Sequence, residues 1–155
     1  MRPLALGLAT ALLAAACGGG AATASPTPSP TASPSPTPAP TIVAKVAADA
    51  KLGKILVDIV TGKTLYIWAK DSDENSQCYD QCATFWPPFV TTAKTVAADG
   101  VTTGKFSTTA RKDGSLQVTF NSHPLYFYAR DAAAGETNGQ GSTGFGAVWQ
   151  VVSAP

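Results

Sequence analysis

Few side chains in this chain of 155 residues have types and spacings that could do chemistry. Cys78-Tyr-Asp-Gln-Cys82 holds two of its three cysteines. That spacing puts the thiols one helical turn apart, about 6 Å between Cα atoms, within reach of a disulfide. It is not the Cys-x-x-Cys of thioredoxin-like sites, and zinc would need two more ligands. His123 is the only histidine and precedes Pro124, which predicts an exposed turn residue. A lone histidine supports neither a metal cage nor a Ser-His-Asp arrangement. Asp71 and Asp131 follow two aromatic strands and suit one of two roles: capping a turn through backbone N–H groups, or holding Ca²⁺ between repeats. Asp71-Ser-Asp-Glu-Asn75 lacks the Asp-x-Asp-x-Asp-Gly…Glu spacing of a calcium loop. No catalytic constellation emerges and no cofactor is indicated, so the expectation is a protein that is not an enzyme.

The third cysteine belongs to a different argument. Arg2 is followed by an uncharged apolar stretch, Leu4 to Ala16. A bilayer span needs about 20 such residues, whereas this length fits the apolar region of a secretory signal. Leu13-Ala-Ala-Ala-Cys17-Gly18 resembles a bacterial lipobox, with Leu13 one place earlier than usual. The reading is a signal peptide over 1–16, cut before Cys17, whose sulfur takes a diacylglyceryl group. The alternative is an ordinary small-residue cleavage site with Cys17 left as a free thiol. Ser25 to Pro40 contains only Ser, Thr, Ala and Pro. At about 3.1 Å per residue it reaches roughly 50 Å as a polyproline-like stalk. Residues 17–40 are thus read as lipid anchor and stalk, and 41–155 as one domain. A stable anchor takes two or more acyl chains.

The domain itself is near neutral. Without Arg2, ten basic residues face ten acidic ones, well mixed along the chain. Such a surface gives no case for nucleic acid or for a polybasic lipid patch. The partners expected are the membrane through Cys17, and an envelope glycan or protein.

The elements that must position these groups are organised by a repeat. Leu65-Tyr-Ile-Trp-Ala-Lys-Asp71 returns sixty residues later as Leu125-Tyr-Phe-Tyr-Ala-Arg-Asp131. Such self-similarity means that one supersecondary unit is used twice. Gly53–Val60, a turn at Thr61-Gly-Lys63 and Leu65–Ala69 predict one hairpin; Ser115–Phe120, a turn at Asn121–Pro124 and Leu125–Tyr128 predict the other. Ala93–Ala110 reads as a connector with a short strand, Gly135–Gly146 as a long loop and Ala147–Val152 as a closing strand. Ser76–Phe85 is the one helical candidate, stopped by Pro87-Pro88. The fold class expected is an all-β single small domain, sandwich- or barrel-like, with one helical turn near Cys78 and Cys82. Alternation puts Tyr66 and Trp68 on one strand face and Leu65 and Ile67 on the other, and likewise Tyr126 and Tyr128 against Leu125 and Phe127. The four aromatics either stack a sugar or planar ligand, or pack a core.

Gly62–Asp71, Ser76-Gln-Cys78…Cys82-Ala83…Trp86-Pro-Pro88, Pro124–Asp131, Gly135–Gly141 and Trp149-Gln-Val-Val152 together resemble the secreted-repeat lipoprotein family of bacteria, described by a Tyr-x-aromatic-x-x-Asp motif. The likeness runs from about Val43 onward. Its motif positions here are Tyr66, Trp68 and Asp71, and Tyr126, Tyr128 and Asp131. Between the cysteines that family often has glycine where this chain has Asp80. The resemblance implies export and lipid attachment on the outer face of the cell membrane, and brings no activity with it. The expectation is an extracytoplasmic, non-enzymatic binding or envelope-interaction module. The alternatives are a redox or electron-transfer accessory using Cys78 and Cys82, or a structural spacer.

Overall fold

Strand β1 (Thr41–Asp49) and strand β2 (Gly53–Asp58) form an antiparallel hairpin, in register from Ala44 opposite Asp58 to Asp49 opposite Gly53. Asp49 closes its turn by accepting the N–H groups of Lys51 and Leu52 at 2.8 and 2.7 Å. This computed structural model describes residues 38–154; the signal segment, Cys17 and the stalk up to residue 37 lie outside them.

β1 departs from the predicted topology, in which β2 pairs chiefly with the first repeat phrase. Its burial pattern is irregular, with Val43 and Ala44 both buried. The cause is a register shift between Ile42 and Ala44 where β1 runs parallel to β5 (Val96–Asp99). A bulge breaks the period-2 signal that marks a strand. The chain does turn after β2: Asp58 accepts the Thr61 N–H at 2.9 Å and Val57 bridges Thr64. Strand β3 (Tyr66–Trp68) then leaves to pair with β9 (Trp149–Val151).

In the second half, β7 (Leu116–Phe120) lies between β4 (Val90–Thr91) and β6 (Phe106–Ala110). The connector thus holds two strands, β5 and β6, where one was expected. β7 turns through Asn121 and Ser122, at φ 49° and 65°, into β8 (His123–Pro124). Leu125–Tyr128 is not a regular strand; Tyr126 makes single bridges to Tyr66 and to Pro88. Helix α1 covers Gln81–Phe85 only, half the predicted span. The fold is all-β, as expected, but its sheets do not close into a barrel.

The two halves complete each other. Phe89, at the end of the first half, donates its N–H to Leu125 O at 2.9 Å and accepts that of Val118 at 2.8 Å. Val152, at the end of the second, donates to Leu65 O and accepts from Leu56, both at 2.9 Å. Two cores lie on either side of the repeat phrases. Leu56, Leu65, Phe89, Val118, Leu125 and Val152 fill an aliphatic one. Tyr66, Trp68, Trp86, Tyr126 and Trp149 fill an aromatic one, with the cysteines. Alternation along a strand sorts side chains to opposite faces, and here both faces are covered.

Candidate functional site

The two repeat aspartates sit where their phrases end, and each binds twice. Asp71 Oδ1 accepts the Gln77 N–H at 2.8 Å, and Asp131 Oδ1 accepts that of Asn138 at 3.0 Å. Each carboxylate thereby closes the loop that follows it. The second oxygen reaches across the repeats: Tyr126 donates its hydroxyl to Asp71 Oδ2 at 2.5 Å, and Tyr66 donates to Asp131 Oδ2 at 2.6 Å. Both aspartates are 1 % exposed and both tyrosines fully buried. Burial raises both carboxyls above the usual aspartate value, against the lowering effect of their hydrogen bonds. Burial, and then the facing carboxylate, push both phenols up as well. The acidic stretch 71–75 gathers no cage; among the described residues no three His, Cys, Asp or Glu side chains converge as metal ligands.

An open ligand face on Tyr66, Trp68, Tyr126 and Tyr128 is not formed. Trp68 is 2 % exposed, and only Tyr128 remains half-buried. The cause is a pair of residues that sequence reasoning passed over as ligand-face members, Trp86 and Trp149. They enter from the ends of the two halves and stack on each other, 3.9 Å between centroids and 1° between planes. Trp68 stacks outside Trp149 at 4.9 Å, and Tyr128 outside Trp86 at 4.3 Å. The result is a four-ring column, Trp68–Trp149–Trp86–Tyr128. Tyr66 meets Trp86 edge-on at 5.4 Å, and Tyr126 meets Trp149 edge-on at 5.1 Å.

Cys78 and Cys82 form a disulfide with Cα atoms 5.2 Å apart. Cys78 is fully buried and Cys82 is 7 % exposed, so a partner thiol has no open approach to the bridge. Arg111, 6 % exposed, ties this loop to β7. It donates to Cys78 O and Ser76 Oγ at 2.9 Å and to Gln117 Oε1 at 2.6 Å. Ser76 in turn donates its hydroxyl to the Tyr126 phenol oxygen at 2.8 Å, the phenol's own proton being held by Asp71. Nothing in the pattern of a lone arginine beside Lys112 and Asp113 marks it as buried. His123 is half-buried, not exposed; its Nδ1–H donates to Asp71 O at 3.2 Å.

Beside Tyr128 the aromatic core opens to solvent. A groove of about 190 Å³ is lined by Phe85, Trp86, Tyr128, Arg130, Ser142 and Phe145. Phe145 stands at φ 63° and ψ 23° in the glycine-rich loop, 38 % exposed, with its ring 6.0 Å from that of Phe85. A bulky residue in the left-handed region is an outlier that costs about 1–3 kcal/mol.

A profile described as a secreted repeat of unknown function matches the chain twice, over residues 46–90 and 107–153. The chain belongs to this secreted-repeat family. No curated protein and no solved structure matches it. The two matched spans are the two halves that exchange their end strands and their Tyr–Asp bonds. As a secreted-repeat protein it is extracytoplasmic, and a Cys78–Cys82 bridge suits that compartment. Among the described residues no helix is long and apolar enough to cross a membrane. The repeats are also unequal: only the first carries the disulfide, and only the second carries the loop that presents Phe145.

Proposed function

We propose that the secreted-repeat domain is a non-enzymatic binding module, held on the outer face of the bacterial membrane by a lipid on Cys17 and the Pro-rich stalk. The groove beside Tyr128 is its binding surface, and an envelope glycan is its ligand class. The observation that carries this reading is Phe145. A left-handed aromatic costs stability that glycine would spare, yet it projects its ring into solvent next to Phe85 and Tyr128. Aromatic faces give a sugar ring a stacking platform, and Arg130 and Ser142 supply polar contacts at its rim. A larger depression along Val90–Thr92 and Gly114–Leu116, about 690 Å³, has neither an aromatic nor a charged side chain in its lining.

Titration of the protein with soluble envelope-glycan fragments, followed by amide and aromatic NMR shifts, tests the groove. Shifts centred on Phe85, Tyr128 and Phe145, with affinity weakened about three- to tenfold in Phe145→Ala, are expected. Shifts confined to other surfaces, or none with any fragment, refute it. The anchor is tested separately by intact mass of the mature protein and by the membrane fraction of Cys17→Ser.

A further inference from the structure

We propose that the aromatic core is a one-electron relay, entered at Tyr128 and ending on Tyr66 and Tyr126 as neutral tyrosyl radicals. This rests on the column and its flanking tyrosines, and does not depend on what the groove binds.

Three observations combine. First, the rings are continuous. Trp68, Trp149, Trp86 and Tyr128 follow each other at 4.9, 3.9 and 4.3 Å, with planes within 5°, 1° and 29° of parallel. Stacked rings at such separations lie in van der Waals contact, which couples neighbouring π-systems. Second, each flanking tyrosine has a base in place. The Tyr66 hydroxyl lies 2.6 Å from Asp131 Oδ2 and the Tyr126 hydroxyl 2.5 Å from Asp71 Oδ2. A phenol loses an electron far more readily when its proton can move to an acceptor in the same step. Trp68, Trp86 and Trp149 have no such base; the indole N–H groups of Trp68 and Trp149 donate to the carbonyls of Ala147 and Gly144. Third, the column has one accessible end. Trp68 is 2 % exposed, whereas Tyr128 is half-buried and lines the groove.

The step balances as follows. A one-electron oxidant, such as a carbonate or peroxyl radical, meets Tyr128 and gains one electron. The deficiency passes through Trp86 to Tyr66, which gives up the electron while its proton moves from Oη to Asp131 Oδ2. The products are the reduced oxidant, a neutral radical on Tyr66 and a protonated Asp131. Passage through Trp149 to Tyr126 and Asp71 is the equivalent route. A one-electron donor of the hydroquinone or thiol class returns the electron, and the proton moves back. The disulfide takes no part.

Flash-quench oxidation of the full-length protein with photogenerated tris(bipyridyl)ruthenium(III), read by transient absorption and electron paramagnetic resonance, tests the relay. The wild type is expected to give a neutral tyrosyl radical. Tyr66→Phe/Tyr126→Phe is expected to lose most of that signal and to leave a tryptophan radical in its place. Asp71→Asn/Asp131→Asn keeps an acceptor at each hydroxyl but removes the base, and is expected to slow tyrosyl formation at least about tenfold. A tyrosyl signal undiminished in the tyrosine double variant, or formation equally fast in the asparagine variant, would overturn the proposal.

Discussion

Tyr66 and Tyr126 donate their backbone N–H groups to each other's carbonyl oxygens, at 2.9 Å in both directions. Around this pair the side chains cross, so the hydroxyl of each repeat ends on the aspartate of the other. The two copies therefore share one polar centre and are not two self-sufficient beads. Half of the domain would leave a buried carboxylate and a buried phenol without partners, which is costly.

That crossing predicts which residues couple. Tyr66→Phe removes a hydrogen bond to a buried carboxylate and is expected to cost about 1.5–3 kcal/mol. In double-mutant cycles by urea unfolding, Tyr66 and Asp131 should couple by about 1 kcal/mol or more. Tyr66 and Asp71, from the same copy, should be additive within about 0.5 kcal/mol. Strong coupling within a copy and none across would contradict the crossed arrangement.

The same carboxyls set a pH dependence. Asp71 and Asp131 are raised from 3.8, by burial first. The folded chain then keeps protons at a pH where the unfolded chain has released them. Their contribution to stability is fully present below the unfolded value and is lost as pH rises through the folded one. Asp49 and Asp113, lowered by hydrogen bonds from Leu52 and Ser115, act in the opposite sense, their contribution being lost as pH falls. Asp71→Asn/Asp131→Asn should therefore remove the decline in stability that sets in as pH rises past 3.8, and keep the loss at lower pH. Unfolding midpoints measured across that range check the sign.

Much of this architecture was legible in the sequence, because the repeat phrases carry an unbroken period of two that sorts Leu65 and Tyr66 to opposite faces. The turn-closing aspartates were legible for the same reason: each ends its repeat phrase. Burial of the aromatic face was not, since it depends on Trp86 and Trp149 arriving from remote ends of the two halves. Their equivalence was hidden because one precedes Pro-Pro-Phe and the other Gln-Val-Val. β1 was missed because its bulge spoils the alternation. Arg111 could not be found from its neighbours, because only the fold brings Ser76, Cys78 O and Gln117 around it.

The disulfide should matter locally. Closing so short a loop stabilises by about 2 kcal/mol. Cys78→Ala/Cys82→Ala is expected to lose that amount yet unfold in a single transition with the far-ultraviolet spectrum intact. Loss of all folded signal would mean that the bridge and the Arg111 contacts to its loop hold the domain together.

Gly139 should be intolerant for a steric reason and Gly141 for a conformational one. A Cβ on Gly139 would lie 2.7 Å from the Trp86 ring and 3.0 Å from Tyr128 Cγ, inside the column. Gly139→Ala must displace stacked rings, and overpacking of this kind costs about 1–3 kcal/mol. Gly141, at φ +75°, has nothing within 4 Å of that position. Gly141→Ala should cost only the left-handed backbone, about 1 kcal/mol. Near-ultraviolet circular dichroism separates them: the tryptophan bands should change in the first variant and persist in the second.

Asp80 offers the opposite case, a residue whose replacement should stabilise. It stands at φ 51° and ψ −124°, ahead of α1, where its side chain makes no capping bond. That conformation suits the first central position of a type II′ turn, which is dominated by glycine. A side chain there costs about 1–3 kcal/mol. The functional part of Asp80 is its carbonyl, which accepts the Thr84 N–H at 3.2 Å and survives any substitution. Asp80→Gly should therefore relieve the backbone, partly offset by about 0.5–1 kcal/mol of added unfolded-chain entropy. A net gain of about 1 kcal/mol is expected by urea unfolding. Asp80→Ala keeps the Cβ and should gain nothing. A gain in the glycine variant alone locates the cost in the backbone; equal midpoints for both variants would refute the left-handed geometry.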